Sequence, residues 1–225
     1  MKLTKLLVIP FLFSGALMSA QQTTYNYQGG QIGYINNKKA DSEVAQGSQY
    51  FSDKFLPANI NGEKEVVLAR YNAYHDEIEV QVNGEEMAVQ PVNNQVIELK
   101  GQNLSYEYLQ YTDKEGTSRQ RYLIPVSKSD KVSIYKEESI YLQPEEHPTS
   151  GYGRYKAPMF RKNDIEYYIQ FNNGEIVHMS TKRKDVLSLV PGKEKEIKTF
   201  IKENKISTDE DEGLKLLADY LSTLI

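Results

Sequence analysis

Ile78, Val80 and Val82 alternate with Glu77, Glu79 and Gln81, and the run ends directly on Asn83-Gly84. A period of two with one apolar set specifies a half-buried strand. Asn-Gly is the strongest short hairpin signal, because both residues tolerate positive φ. The chain must turn back at 83–84, and Met87–Val92 supplies the returning strand. The same pattern recurs in Glu65–Asn72, Gln95–Leu99, Ser105–Tyr111, Gln120–Val126 and Lys131–Leu142. Asp164–Phe171 and Glu175–His178 flank Asn172-Asn173-Gly174, a second hairpin signal. Turns spaced about 8–12 residues apart mark an antiparallel meander, and the lack of βαβ alternation argues against a doubly wound parallel sheet.

From residue 181 the period changes. Asp185–Val190 reads as a short helix stopped before Pro191-Gly192. Glu194–Asn204 sets Ile197, Phe200 and Ile201 at helical spacing, and Glu212–Ile225 sets Leu214, Leu217, Ala218, Leu221, Leu224 and Ile225 on one face. Thr208 and Asp211 have the spacing of a capping box, with Asp209–Glu212 at the positive end of the helix dipole. Each apolar stripe has to be buried, most economically against the sheet. The expected fold is therefore α+β, an antiparallel β-meander sheet with two to three C-terminal helices packed on it.

The first residues read differently. Lys2 and Lys5 precede the uncharged apolar run Leu6–Met18, and Ser19-Ala20 precedes Gln21. Basic, apolar, then small is the layout of a signal peptide, here 1–20 with cleavage after Ala20. The run is shorter than the roughly 20 residues a helical bilayer span needs. Residues 21–46 are polar, with Gly29-Gly30 and Asn36-Asn37-Lys38-Lys39, and read as a flexible N-terminal segment. Residues 47–225 then form one domain, mainly β over 47–180 and helical over 181–225. The expected location is exported: periplasmic, outer-membrane-associated or secreted.

Composition removes several chemistries. There is no cysteine, so disulfides, thiolate metal sites and a Cys nucleophile are excluded. Lys and Arg number 27 against 31 Asp and Glu, a net charge of −4. A surplus of anions opposes generic binding to nucleic-acid phosphates. Val186–Ile201 has the outline of a helix-hairpin-helix, but Glu194 stands where that module brings its backbone to phosphate. The basic cluster Thr181–Lys184 is short enough to be a solvated face. Asp209–Gly213 fails the spacing of a calcium loop, because Gly213 falls one place early and the twelfth position is Tyr220. His75, His147 and His178 have no metal-motif spacing, and Glu145-Glu146-His147 are neighbours on a loop. No Gly-x-Ser-x-Gly is present, and His147 close to Thr149-Ser150 does not constitute a triad. No cofactor and no metal are expected.

Tyrosine is the unusual count, 17 against seven Phe and no Trp. Its ring and hydroxyl suit half-buried strand positions, and equally a wet binding surface. The loop Gln143–Asn163 joins two strong strands and carries Tyr152, Arg154, Tyr155 and Arg161, which could stack on or pair with an anionic or aromatic group. Those four are the candidate binding residues. The plainer reading has the loop cover the core with Tyr152, Met159 and Phe160.

Gly47-Ser48-Gln49-Tyr50-Phe51, Phe55-Leu56-Pro57, Arg70–Val80 and the C-terminal pattern Ile197, Phe200-Ile201, Asn204-Lys205-Ile206, Glu212-Gly213-Leu214 and Tyr220 together resemble a family of exported Bacteroidota proteins. The resemblance covers about Gly47 to the C-terminus. It implies export and envelope residence and brings no established reaction, cofactor or catalytic set. The expectation is an exported, non-enzymatic envelope protein that binds a partner or surface through a Tyr-rich sheet or loop face. The alternatives are a glycan or peptide hydrolase, and a carrier of a small ligand or lipid.

Overall fold

The computed structural model describes residues 22–27, 30–35, 45–148 and 154–225. The expected signal peptide, 1–20, lies outside them. Among the described residues β1 (Gln22–Tyr27) and β2 (Gly30–Ile35) form a hairpin within the 21–46 stretch, and Tyr34 is fully buried. Next come β3 (Leu56–Ile60), β4 (Val67–Asn72), β5 (Glu77–Val82), β6 (Glu85–Val89), β7 (Val96–Leu99), β8 (Leu104–Thr112) and β9 (Ser118–Ser127). They are followed by β10 (Val132–Glu137), β11 (Ile140–Gln143), β12 (Met159–Lys162), β13 (Glu166–Phe171) and β14 (Ile176–Met179). Three helices end the chain: α1 (Arg183–Leu187), α2 (Glu194–Glu203) and α3 (Asp211–Leu224). No helix among the described residues is long and apolar enough to cross a membrane.

Local chemistry accounts for the turns. Asn83 and Gly84 have φ of 53° and 84°, and β5 and β6 pair from Val82↔Glu85 outward. Asn172 and Asn173, at φ of 49° and 55°, turn β13 into β14. The Pro191-Gly192 break separates α1 from α2. The capping box does not form. Thr208 donates to the Thr181 carbonyl at 2.8 Å, while Asp211 takes Lys136 Nζ at 2.8 Å and the Tyr167 hydroxyl at 3.0 Å. Tertiary partners, on the sheet for Asp211 and in the segment after β14 for Thr208, claim both side chains that the box would have used.

The expected architecture is corrected at a larger scale. Among the described residues the fold is mostly β, with a closed five-stranded barrel and extra strands rather than one meander sheet with helices packed on it. Twelve strands form a continuous sheet in the order β1-β2-β6-β5-β4-β3-β7-β8-β14-β13-β10-β9, and β9 pairs again with β8. That second pairing rolls β8, β14, β13, β10 and β9 shut. Every junction is antiparallel except β8–β14, which meets in parallel at Thr112↔Val177. Closure follows from the long strands β8 and β9, of nine and ten residues, and a register shift at Ile134/Tyr135 in β10. Long strands accumulate twist, a bulge adds more, and a closed barrel leaves no unpaired edge.

Side chains sort into three cores. Leu109, Tyr111, Leu123, Tyr135, Tyr168 and Ile176 fill the barrel. Val132, Ile134, Tyr167, Ile169 and Met179 face out of it and are covered by the helices through Val186, Ile197, Ile201, Leu214, Leu217 and Leu221. The third core lies under the curved sheet β3–β7 and includes Tyr71, Ile78, Val80 and Ile97 together with Tyr106, Tyr122 and Ile124 from the outer face of β8–β9. The β8–β9 hairpin is thus a wall common to two cores. Strands buried on both faces carry near-continuous apolar and aromatic residues, and much of the tyrosine content sits here.

Gly213 tests how tightly α3 is seated. A Cβ there would lie 1.9 Å from the Ser207 carbonyl oxygen and 2.9 Å from its carbon. Alanine is about 1 kcal/mol better than glycine inside a helix, yet forcing backbone apart costs about 1–3 kcal/mol. Gly213→Ala is expected to lower the urea midpoint. A raised midpoint would show that the 206–210 loop yields freely.

Candidate functional site

The stretch 45–55 runs as a strap across the face of β4–β6 that points away from the core. It is tied at one end to β12, where Gln46 N donates to Pro158 O and Phe160 N donates to Gln46 O, both at 2.8 Å. A bridge between Tyr50 and Asn72 ties it to β4. Strap and sheet leave between them a groove of about 520 Å³, lined by Ser48, Gln49, Tyr50, Asp53, Arg70, Glu79, Glu86 and Phe160 among others. That volume lies within the range of small-molecule sites.

Arg70 forms the wall of the groove. The four-residue turn 73–76 sets Arg70 directly opposite Glu79 across β4 and β5. Its Nε lies 2.8 Å from Glu79 Oε2, and Nη2 donates to the Tyr50 hydroxyl at 2.8 Å and to Glu86 Oε2 at 3.1 Å. The Asp53 carbonyl accepts from Nη1 at 3.3 Å, and the guanidinium sits between the Tyr50 and Phe55 rings at 4.1 and 4.2 Å. Planar stacking with several directed hydrogen bonds is what arginine provides and lysine does not. Glu79 also accepts from the Tyr50 hydroxyl at 2.8 Å and from Asn72 Nδ2 at 2.9 Å. Burial, then the Glu79 carboxylate, pushes the Tyr50 phenol well above its ordinary value.

Gln49 lies beneath the strap, 5% exposed. Its Oε1 accepts from Asn72 Nδ2 at 3.0 Å, and its Nε2 has no hydrogen-bond partner among the described residues. Its carbonyl accepts from Ala73 N and Tyr74 N, and Asn72 Oδ1 accepts from Tyr74 N and His75 N. The floor of the groove therefore holds the turn 73–76.

Asp76 ends that turn with φ of 56° and holds Arg121, which lines a second concavity at the mouth of the barrel. Arg121 Nε stands 3.3 Å from Asp76 Oδ2, and Nη1 donates to Glu137 Oε1 at 2.7 Å. Glu137 Oε2 also accepts from Tyr111 and Tyr168, at 2.9 and 2.8 Å. Those two rings meet edge-on at 4.5 Å. His178 Nε2 and Lys114 Nζ both approach Glu166 at 2.9 Å, and Arg119 pairs with Asp113. All of these except Asp76, which stands behind Arg121, line a cavity of about 380 Å³. Burial pushes the Asp76 carboxyl up to about 6, against the pull of Arg121, the Tyr71 hydroxyl and the Tyr122 N–H. Burial alone would lower Arg121, but the Asp76 and Glu137 carboxylates raise it above its ordinary value. Glu166 is partly buried, yet Lys114 and His178 hold it below the usual carboxylate range.

Of the four residues expected to bind, the three described ones, Arg154, Tyr155 and Arg161, line neither of these two concavities. Tyr152 lies outside the described residues. Arg154 is exposed. Tyr155 is exposed and donates to Glu145 at 2.8 Å, with His147 beside its ring at 5.2 Å. Arg161 donates to Gln143 at 3.1 Å across the β11–β12 pair. Phe160 from the same stretch does pack inward and lines the groove, whereas Met159 is only half-buried. Glu146 is paired with Lys156 at 2.7 Å and His147 with Glu145 at 3.2 Å. Gln49, Arg70, Glu79 and Glu86 escaped the sequence reading. The Arg70–Glu79 pair had a signal, because a turn at 73–76 places 72 against 77, 71 against 78 and 70 against 79. The strap had none.

Comparison of the chain with protein-family models, with curated proteins and with solved structures returns no match.

Two outcomes are expected. Arg70→Ala removes one partner of the buried Glu79 carboxylate and should cost up to about 3–5 kcal/mol of unfolding free energy, with Arg70→Lys falling between. Equal stability of the lysine variant and wild type in urea would show that stacking is immaterial. At Asp76 the native chain keeps a proton between 3.8 and about 6 that the unfolded chain has released. Stability attributable to this group therefore falls as pH rises through that window. At about 1.4 kcal/mol per unit, the stability of wild type relative to Asp76→Asn should drop by about 3 kcal/mol from pH ~4 to ~7. A flat difference would show that Arg121 keeps Asp76 ionised throughout.

Proposed function

We propose that the chain is an exported, non-enzymatic binding protein that takes a small polar ligand into the groove between strap and sheet. The observation that carries this is the Arg70 guanidinium, fixed by two carboxylates, a phenol, a carbonyl and two rings on the wall of a 520 Å³ concavity. Polar groups immobilised before a ligand arrives lose little freedom on binding, and such preorganisation marks recognition surfaces. Arg70 with Glu79 and Glu86 in the groove, and Arg121 with Glu137 and Glu166 with Lys114 and His178 in the second concavity, are paired with one another, and that supports binding over turnover. The basic, apolar and small residues of 1–20 support export.

The test is thermal unfolding of residues 21–225 against a panel of small polar compounds spanning neutral sugars, amino acids, amines and carboxylates. A ligand at 100 times its Kd adds about 2.7 kcal/mol. At about 2–4 °C per kcal/mol for a chain of this size, Tm should rise about 5–10 °C. The rise should shrink in Glu86→Gln, which removes a charge from the rim and leaves the core untouched. A flat response across the panel would overturn the proposal.

A further inference from the structure

Resting on the groove reading above, we infer that its ligand is a neutral polyhydroxylated molecule, a saccharide, held by Glu86 and Asp53 at the rim. The charge of the wall selects against the other classes. Asp53, Glu79 and Glu86 face the groove, and Arg70 is the one cation among its described lining residues. Among these described residues three carboxylates stand against one guanidinium, a balance that opposes an anion. A second cation would compete for a place that Arg70 already fills, since its guanidinium touches Glu79, Glu86 and the Asp53 carbonyl at once. An apolar ligand would strip water from carboxylates without replacing their hydrogen bonds, which is costly.

Hydroxyl groups fit what remains. Each can donate once and accept twice. Glu86 is 55% exposed and its Oε2 is the oxygen that Arg70 engages, so Oε1 can accept from other donors. Asp53 receives Ser48 Oγ on Oδ1 at 2.5 Å, and Oδ2 can take a second donor. Carboxylates accepting from hydroxyls make the stronger, charge-assisted kind of hydrogen bond. Acceptors on the ligand have a counterpart in Gln49, whose Nε2 lacks a partner among the described residues. That nitrogen is enclosed, so its engagement requires the Gln49 side chain to swing toward the groove. Phe160, Met87 and Ala88 supply the apolar part of the lining, against which the C–H face of a sugar ring can lie. The mixture of rim acceptors, an interior donor and a limited apolar surface is matched by a molecule that alternates hydroxyl and C–H faces.

Calorimetric titration of residues 21–225 with glucose, galactose, N-acetylglucosamine and their β-linked disaccharides tests this, with lysine, putrescine and succinate as comparators. At least one saccharide should bind. Its affinity should hold from low salt to about 0.5 M, where exposed charge pairs are screened, and should fall about tenfold or more in Glu86→Gln. Asp53→Asn provides a second variant at an exposed position, and the far-ultraviolet spectrum checks that both fold. Binding of lysine or putrescine that weakens with salt, with the saccharides silent, would overturn the saccharide assignment and leave groove binding standing. Saccharide binding that both rim variants leave unchanged would overturn the placement. Silence from all probes would overturn both readings.

Discussion

Each buried tyrosine brings a hydroxyl that has to find a partner, and this requirement shapes the interior of the molecule. Tyr111 and Tyr168 meet at Glu137, Tyr71 meets Asp76, Tyr122 meets Gln95 and Tyr167 meets Asp211. Satisfying phenols with carboxylates draws acids inside, and buried acids need cations. Arg121 therefore lies between Asp76 and Glu137. A low local dielectric makes such a network strong when every member is bonded and damaging when one is lost.

The groove follows the same logic on the opposite side of the sheet. Glu79 points away from the core, yet the strap covers it, and Arg70, Tyr50 and Asn72 supply the donors that a covered carboxylate requires. Gln49 supports the strap from beneath while its carbonyl caps the turn after β4. The polar groups that hold the strap down are thus the same ones that face the concavity. Structural anchoring and a preformed binding wall come from one arrangement.

Local pattern made much of this legible, and topology did not. The strands from β4 to β10, the two Asn-based turns and the apolar stripes of α2 and α3 follow from periods of two and 3.6 and from positive-φ residues. The parallel contact of Thr112 with Val177 leaves no trace in either segment, so barrel closure was hidden and a meander was expected instead. The tyrosine count was visible, but its meaning depended on which strands are buried on both faces. Tyr106 and Tyr122 pack into one core, and Tyr111 and Tyr135 into another, although they alternate along the same few strands. The strap carried part of the family resemblance but no sign of a site, because its role comes from contacts with strands far along the chain. Arg154, Tyr155 and Arg161 were conspicuous in sequence for their residue types, which say nothing about whether the fold brings them together.

The shared wall has a consequence for how the protein can be divided. One face of β8–β9 closes the barrel through Leu109, Tyr111 and Leu123, and the other completes the N-terminal core through Tyr106, Tyr122 and Ile124. A cut between β7 and β8 would leave the first half with Tyr71 and Ile78 facing water. The second half would carry an aromatic outer surface with nothing to cover it. A cut after β9 would open the barrel. The chain offers no seam here at which a fragment inherits a complete core, so the two concavities stand or fall together in expression, proteolysis and evolution.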